Sequence, residues 1–192
     1  MINLYTNFYH SADKVRSQEF ITCFYKNINN RNLNVIAIES ESRLKFSDFF
    51  LVIDKVSSND DINIIANLDI YFDESILLTL NMKKEDVYAL SRWNIVRDKV
   101  KHFIRKDSQD AWIFRGVPNN VFGDFCMGIP GCDNRLAYEF NKAGYRVANP
   151  SCDIKAFHIH SGKRNYGKQK IPPPYMTVDP SHLNNLQYGG IS

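Results

Sequence analysis

The hydrophobic pattern of the chain changes period several times, and each change predicts an element. Ile2-Asn3-Leu4-Tyr5-Thr6 reads as a first strand, followed by a polar loop from Asn7 to Asp13. From Asp13 to about Asn30 the apolar residues Val15, Phe20, Ile21, Phe24, Tyr25 and Ile28 recur at helical spacing, with Asp13 placed to cap the helix. Asn34 to Glu39 is β-branched and apolar between Asn-rich and Ser-rich turns, which makes a second strand with Glu39 at its carboxyl end. Phe46 to Val56 puts Phe49, Phe50 and Ile53 on the inner side of a second helix. Ile62 to Ala66 is then almost continuously apolar, the signature of a central strand buried on both faces.

This strand-helix-strand-helix-strand order predicts an α/β protein with a largely parallel sheet and right-handed crossovers. The central run ends in Asn67-Leu68-Asp69. Side chains two apart on an extended backbone share a face, and ligands of open α/β sheets bind beyond the carboxyl ends of the strands, so Asn67 and Asp69 are candidates for one site. A plain turn is the competing explanation for both, and for Asp73 the simpler role is to cap a helix at Ser75 to Leu80. The second half is less regular. Asp86 to Trp93 and Ala111 to Arg115 read as strands, while Val96 to Ile104 is weakly patterned. Cys132 to Ala143 carries Leu136, Ala137 and Phe140 at helical spacing with Gly144 as its stop. Tyr145 to Ala148 re-enters the sheet, and a last apolar run, Ile154 to Ile159, leads to His158 and His160.

A length of 192 residues suits one domain, and 44% hydrophobic with 13% aromatic residues excludes a disordered chain. No apolar run approaches the roughly 20 residues of a membrane span. The start of the chain lacks the basic region and cleavage site of a signal peptide, and the four cysteines form no Cys-x-x-Cys pair. Reduced thiols and a cytoplasmic location are therefore expected. A net charge of +3 is too small to imply a nucleic-acid partner, and the positive residues form a block only at Lys163, Arg164, Lys168 and Lys170. The Pro- and Gly-rich composition after about Tyr166 predicts a body at 1–166 and a C-terminal arm or lid at 167–192.

Four motifs in order carry a family resemblance. Asn67-Leu68-Asp69 ends the central strand; Gly131-Cys132-Asp133 opens a helix that closes in Ala143-Gly144-Tyr145-Arg146-Val147; and His158 or His160 follows the next strand. Over roughly Leu4 to Arg164 the chain resembles the GT-A fold glycosyltransferases, most closely the inverting family-2 type of bacterial and viral polysaccharide synthesis. The resemblance implies a nucleotide-diphospho-sugar transferase fold, Rossmann-like, with a mixed, mainly parallel central sheet flanked by helices. Cys132 stands where that family usually has Glu, Asn67 replaces the first Asp of the stricter D-x-D form, and the first strand lacks the usual Pro-x-Tyr-Asn opening. The first departure leaves Asp133 as the base, and the other two bear on the identity of the donor.

The same resemblance implies the chemistry. Transfer from a nucleotide sugar, with a UDP-sugar as the expected donor, needs a divalent cation on the leaving diphosphate; Asp69 with His160, or alternatively His158, would hold Mn²⁺ or Mg²⁺. Asp133 would take the proton of a hydroxyl on a glycan or glycoconjugate acceptor, although a helix N-terminus also favours an ordinary capping Asp. Thr6, Asn7 and Tyr9 after the first strand, Glu39 and Arg43 after the second, and Asn67 are the nucleotide candidates. Arg92, Trp93, Asp110, Trp112 and Lys163 are candidates for the donor sugar and diphosphate; an exposed Arg beside a packed Trp, and a solvated basic turn at Lys163-Arg164, are the simpler alternatives. The competing functions are an inactive sugar- or nucleotide-binding module and a nucleotidyltransferase, the latter disfavoured because Leu4 to Phe8 is no Gly-rich phosphate loop.

Overall fold

The elements predicted up to Ala66 form where the pattern places them. β1 (Ile2–Phe8), α1 (Lys14–Ile28), β2 (Asn34–Glu39), α2 (Phe46–Val56) and β3 (Ile62–Ala66) succeed one another in the computed structural model, which describes residues 1–9, 11–97, 99–159 and 169–191. α1 begins where the Asp13 carboxylate accepts from the backbone N–H groups of Val15 at 2.8 Å and Arg16 at 3.3 Å, which a helix start otherwise leaves unpaired. All five residues of β3 are buried, as its apolar run requires.

Beyond Asn67 the chain departs from the simple pattern. β4 (Ile70–Phe72) belongs to a second sheet, and the segment after it is a 3-10 helix, Glu74–Asn81, capped by Asp73 accepting from the Ser75 N–H at 2.9 Å. The single strand expected over Asp86 to Trp93 is two strands, β5 (Asp86–Leu90) and β6 (Arg92–Val96), in different sheets. Ser91 makes the break. Its hydroxyl donates to the carbonyls of Arg105 and Ser108, and its N–H donates to Asn149. β7 (Lys99–His102) pairs with β6 in a hairpin over the weakly patterned stretch, whose tip is exposed on both faces and so carries no apolar period. β8 (Ala111–Arg115), α3 (Cys132–Lys142), β9 (Arg146–Ala148), β10 (Ala156–Ile159), β11 (Met176–Thr177) and β12 (Gly190–Ile191) complete the chain.

The larger sheet runs β2-β1-β3-β8-β5-β9, with β8 antiparallel to both neighbours and the other pairs parallel. The smaller runs β4-β10-β6-β7. Three asparagines in register pin β2, β1 and β3: Asn34 donates to Asn3 at 2.9 Å and Asn3 to Asn63 at 3.2 Å. One face of the large sheet packs Tyr5, Ile65, Trp112 and Phe114 against Phe46, Phe49 and Ile53 of α2 and Leu136 and Phe140 of α3. The other packs Leu4, Ile64, Ile113 and Leu90 against Ile70, Phe72, Ile154 and Ala156 of the smaller sheet and its approaches. The small sheet is thus fastened over the carboxyl end of β3. The described arm residues also join the core: Met176 and Val178 are fully buried, and the Ile171 N–H donates to Pro130 at 2.9 Å beside α3. No helix among the described residues is long and apolar enough to cross a membrane, and the four cysteines are unpaired.

Candidate functional site

Where β3 ends, the Asn67-Leu68-Asp69 turn is drawn tight by the Ile70 N–H donating to the Asn67 carbonyl at 3.0 Å, and the Asn67 N–H donates across to Asp110 at 3.2 Å. The two polar side chains of the turn then enter one hydrogen-bonded circuit. Asn67 Nδ2 donates to Asp110 Oδ1 at 3.2 Å, and Arg92 Nη1 donates to Asp110 Oδ2 at 2.8 Å. Arg92 Nε donates to Asn94 Oδ1 at 3.0 Å, the same oxygen lies 3.0 Å from His158 Nδ1, and His158 Nε2 lies 3.0 Å from Asp69 Oδ2. Arg16 adds its guanidinium to Asp69 Oδ2 at 2.8 Å and to Glu19 at 3.1 Å. Asp69 and His158 are almost fully buried. Alternation places these groups together: Arg92 and Asn94 on β6 and His158 on β10 occupy the face of the small sheet turned to the turn, with His158 opposite Asn94 in register.

Asp133 stands beside this circuit at the start of α3. Gly128 and Gly131, both at positive φ (77° and 88°), bend the chain into the helix, and a Cβ on Gly131 would meet the Ile171 carbonyl at 2.8 Å. Asp133 as a residue keeps partial exposure, but its carboxyl is turned inward, and burial together with the nearby Asp110 charge pushes its pKa up to about 7. The Cys132 thiol donating at 3.1 Å, the Gln109 backbone N–H and the Arg92 charge pull the other way and keep the value from rising further. The Cys132 thiol is itself held far above its usual range by burial and by Asp133, so it serves as a donor and not as a thiolate. A carboxylate that titrates near neutrality beside a permanently paired Asp–Arg couple can accept a proton from a weakly acidic hydroxyl.

Several predicted residues gather at this end of the sheet. Asn67, Asp69, Arg92, Asp110 and His158 share the circuit. Tyr9 lies edge-on to Phe20 at 5.0 Å, and the Arg16 guanidinium lies over that same ring at 4.6 Å, so Tyr9 borders the Asp69 end. Arg43 donates to the Gly128 carbonyl at 3.4 Å, which puts it at the turn before Asp133. Glu39 is exposed at the end of β2. Thr6 is buried with its Oγ1 lacking a partner among the described residues, and Asn7 donates to the Ile38 carbonyl at 3.2 Å.

Two predicted sugar contacts are placed elsewhere. Trp93 alternates with Arg92 and Asn94 and so occupies the opposite face of the small sheet, stacked on His102 at 4.5 Å and donating to the Ser151 carbonyl at 2.8 Å. Trp112 points into the core beneath the large sheet, edge-on to Phe46 at 5.0 Å and fully buried, so it forms no wall of the crevice. His160 and Lys163 lie outside the described residues. Arg16 and Asn94 are the residues that sequence reasoning missed. Asn94 carried a signal, since it lies two positions from Arg92 on an extended strand; Arg16, in the first turn of α1, carried none.

A carboxylate oxygen and an imidazole nitrogen 3.0 Å apart, as in Asp69 and His158, are a donor pair whose chemistry suits Mn²⁺ or Mg²⁺. An ion there would compete with Arg16 for Asp69 Oδ2 and with Asp69 itself for His158 Nε2. Among the described residues, no three His, Cys, Asp or Glu side chains converge as a metal cluster. A cavity of about 320 Å³ between Lys106 and the arm residues Thr177, Asp179 and Tyr188 shares no residue with the circuit. No protein-family model matches the chain, and no curated protein is detectably similar to it.

Proposed function

We propose that the chain is a glycosyltransferase that moves a sugar from a nucleotide sugar, with a UDP-sugar as the reference donor, to a hydroxyl of a glycan acceptor with inversion at the anomeric carbon. The observation that carries this reading is the inward-turned Asp133 carboxyl, titrating near 7 beside Asp110, which belongs to the polar circuit that ends at Asp69. The mixed, mainly parallel six-stranded sheet, with its N-x-D turn at the end of β3, supports the GT-A resemblance on which the donor class rests.

In this reading Asp133 takes the acceptor proton, and burial, with the charge on Asp110 second, keeps the Asp133 carboxyl basic enough to do so. Arg92 holds Asp110 in place, and its guanidinium is packed over Phe103 at 4.1 Å, which fixes its direction. Arg16 and the Asn67-Leu68-Asp69 turn face the donor's diphosphate, with Arg16 supplying positive charge at the rim. A divalent ion, Mn²⁺ or Mg²⁺, belongs to the proposal: Asp69 would hold it with the diphosphate, and it would act as a Lewis acid on the leaving group. Burial of Asp69 and His158 keeps water from that end of the site.

The test is incubation with a panel of nucleotide sugars and glycan acceptors, with and without Mn²⁺, followed by measurement of nucleotide release and product. Sugar transfer supports the reading. Donor binding without turnover points to a binding module, and pyrophosphate-linked exchange points to a nucleotidyltransferase.

A further inference from the structure

The β6–β7 hairpin carries a feature that the site does not use. Between Val96 and Lys106 the chain places Arg97, Lys99, Lys101, Arg105 and Lys106 against Asp98 as the one acidic residue before Asp107. All five cations are exposed. Arg105 is paired with Asp107 at 2.6 Å, while Arg97, Lys99, Lys101 and Lys106 have no ion pair among the described residues. His102 adds little charge near neutrality, because burial lowers its pKa. The positive charge gathers here as well as in the block at Lys163 to Lys170 seen in the sequence.

Large apolar side chains are exposed in the same place. Val96 is 51% exposed, Val100 52% and Ile104 74%; Val96 opposes Lys99 and Val100 opposes Ile95, so the two valines project from opposite faces of the hairpin near its tip. β7 is the outer strand of its sheet, bonded to β6 alone. Lysines on an edge strand also block association with other strands, but that use is served by polar neighbours and not by exposed valines. Cations interleaved with protruding apolar side chains match a surface that offers negative charge at its face and hydrocarbon just below it.

We infer that the Val96–Lys106 hairpin seats the protein on an anionic lipid bilayer, with Val96, Val100 and Ile104 entering the interface and Arg97, Lys99 and Lys101 lying among the headgroups. The inference is independent of the reaction proposed above. Arg92 and Val96 are four residues apart on one extended strand, so the polar circuit would stand roughly 13 Å from the seated tip.

The experiment is sedimentation of the full chain with vesicles of phosphatidylcholine alone and with phosphatidylcholine containing phosphatidylglycerol, alongside binding to a single-stranded oligonucleotide as a soluble polyanion. Binding is expected only to the phosphatidylglycerol vesicles and should fall with salt. Lys99→Gln with Lys101→Gln should weaken it by about 5-fold per lysine, roughly 25-fold together. Val96→Ser with Val100→Ser should also weaken vesicle binding severalfold while leaving the melting temperature unchanged, since both side chains are exposed. No binding to anionic vesicles at low salt would overturn the inference. So would equal binding to the oligonucleotide with no effect of the valine changes, which would mark the hairpin as a surface for soluble polyanions.

Discussion

Asn67 and Asp69, two positions apart on one turn, hold opposite ends of the same polar circuit: Asn67 donates to Asp110 at 3.2 Å, and Asp69 meets His158 at 3.0 Å. The turn thereby ties the large sheet, through β8, to the small sheet, through β10. Breaking it at either end takes a hydrogen bond from a buried polar group, and such a loss is costly in a low-dielectric interior.

Asp69→Ala removes the carboxylate that faces both Arg16 and His158. Loss of one partner of a buried pair is strongly destabilising, and because Arg16 keeps some access to solvent the expected cost is about 3 kcal/mol. Urea unfolding of the variant and the parent measures it. A variant as stable as the parent would mean that the circuit contributes nothing to the fold.

Asp133 imposes a pH dependence on stability. Its folded pKa, about 7, lies above the ordinary carboxylate value, so the native state holds a proton that the unfolded chain has already released. Stability from this group is greatest below about pH 4 and is lost as pH rises to about 7, then stays level. Asp61, Asp107 and Asp153, whose pKa values are lowered, act in the opposite direction as pH falls, which is why the comparison must be made against Asp133→Asn. The parent should lose roughly 2 kcal/mol relative to that variant between pH 5 and pH 8, after discounting for partial exposure. Parallel stability curves for the two proteins are the contrary result.

Asp110→Asn keeps the shape of the side chain and removes the charge that faces Asp133. The Asp133 midpoint, followed by carboxyl NMR, should then move down towards the ordinary range, because the neighbouring negative charge is the second cause of its elevation after burial. An unchanged or higher midpoint shows that burial alone sets it.

Trp112→Phe separates packing from binding. The indole is fully buried and its Nε1 has no partner among the described residues, so a ring without an N–H should fit with a change in stability below about 1.5 kcal/mol. Affinity for UDP, read by calorimetry, should be unaltered. A large loss of UDP affinity with the fold intact would return Trp112 to the crevice.

How far the sequence shows the fold depends on whether a segment has a single environment. β3 and β8 are buried along almost their whole length, α2 turns one apolar face to the core, and β2 is a partly exposed edge strand between polar turns; the observed bounds of all four are those the pattern predicts. At Ser91 the apolar run continues while the chain changes sheet, and nothing in the run marks the change; the cause is the hydrogen bonding of Ser91 to Arg105, Ser108 and Asn149. The same limit applies to the site. The positions of Asn67, Asp69, Asp110 and Asp133 at strand and helix ends can be read locally, but their partners Arg16, Asn94 and His158 come from three other elements, and only the packing of the small sheet over β3 brings them together. Trp93 shows the converse, since an aromatic residue next to polar site residues alternates away from them on a strand, while Trp112, two positions from Asp110, is taken into the core by packing on Phe46 of α2.

The central claim is that Asp133 is the base in sugar transfer. Single-turnover transfer from a nucleotide sugar found active in the panel, measured from pH 5.5 to 8.5 for the parent and Asp133→Asn, tests it most directly. The parent rate should rise about tenfold per pH unit below about pH 7 and level off above it, following deprotonation of the carboxyl. Asp133→Asn should bind the donor nearly as well, and its rate should be lower by about 10²- to 10⁴-fold and independent of pH across that range. A variant that transfers within a few-fold of the parent, with the parent's pH profile and melting temperature, would contradict the account and leave Asp133 as a structural carboxyl in the first turn of α3, whose N-cap is Gly131.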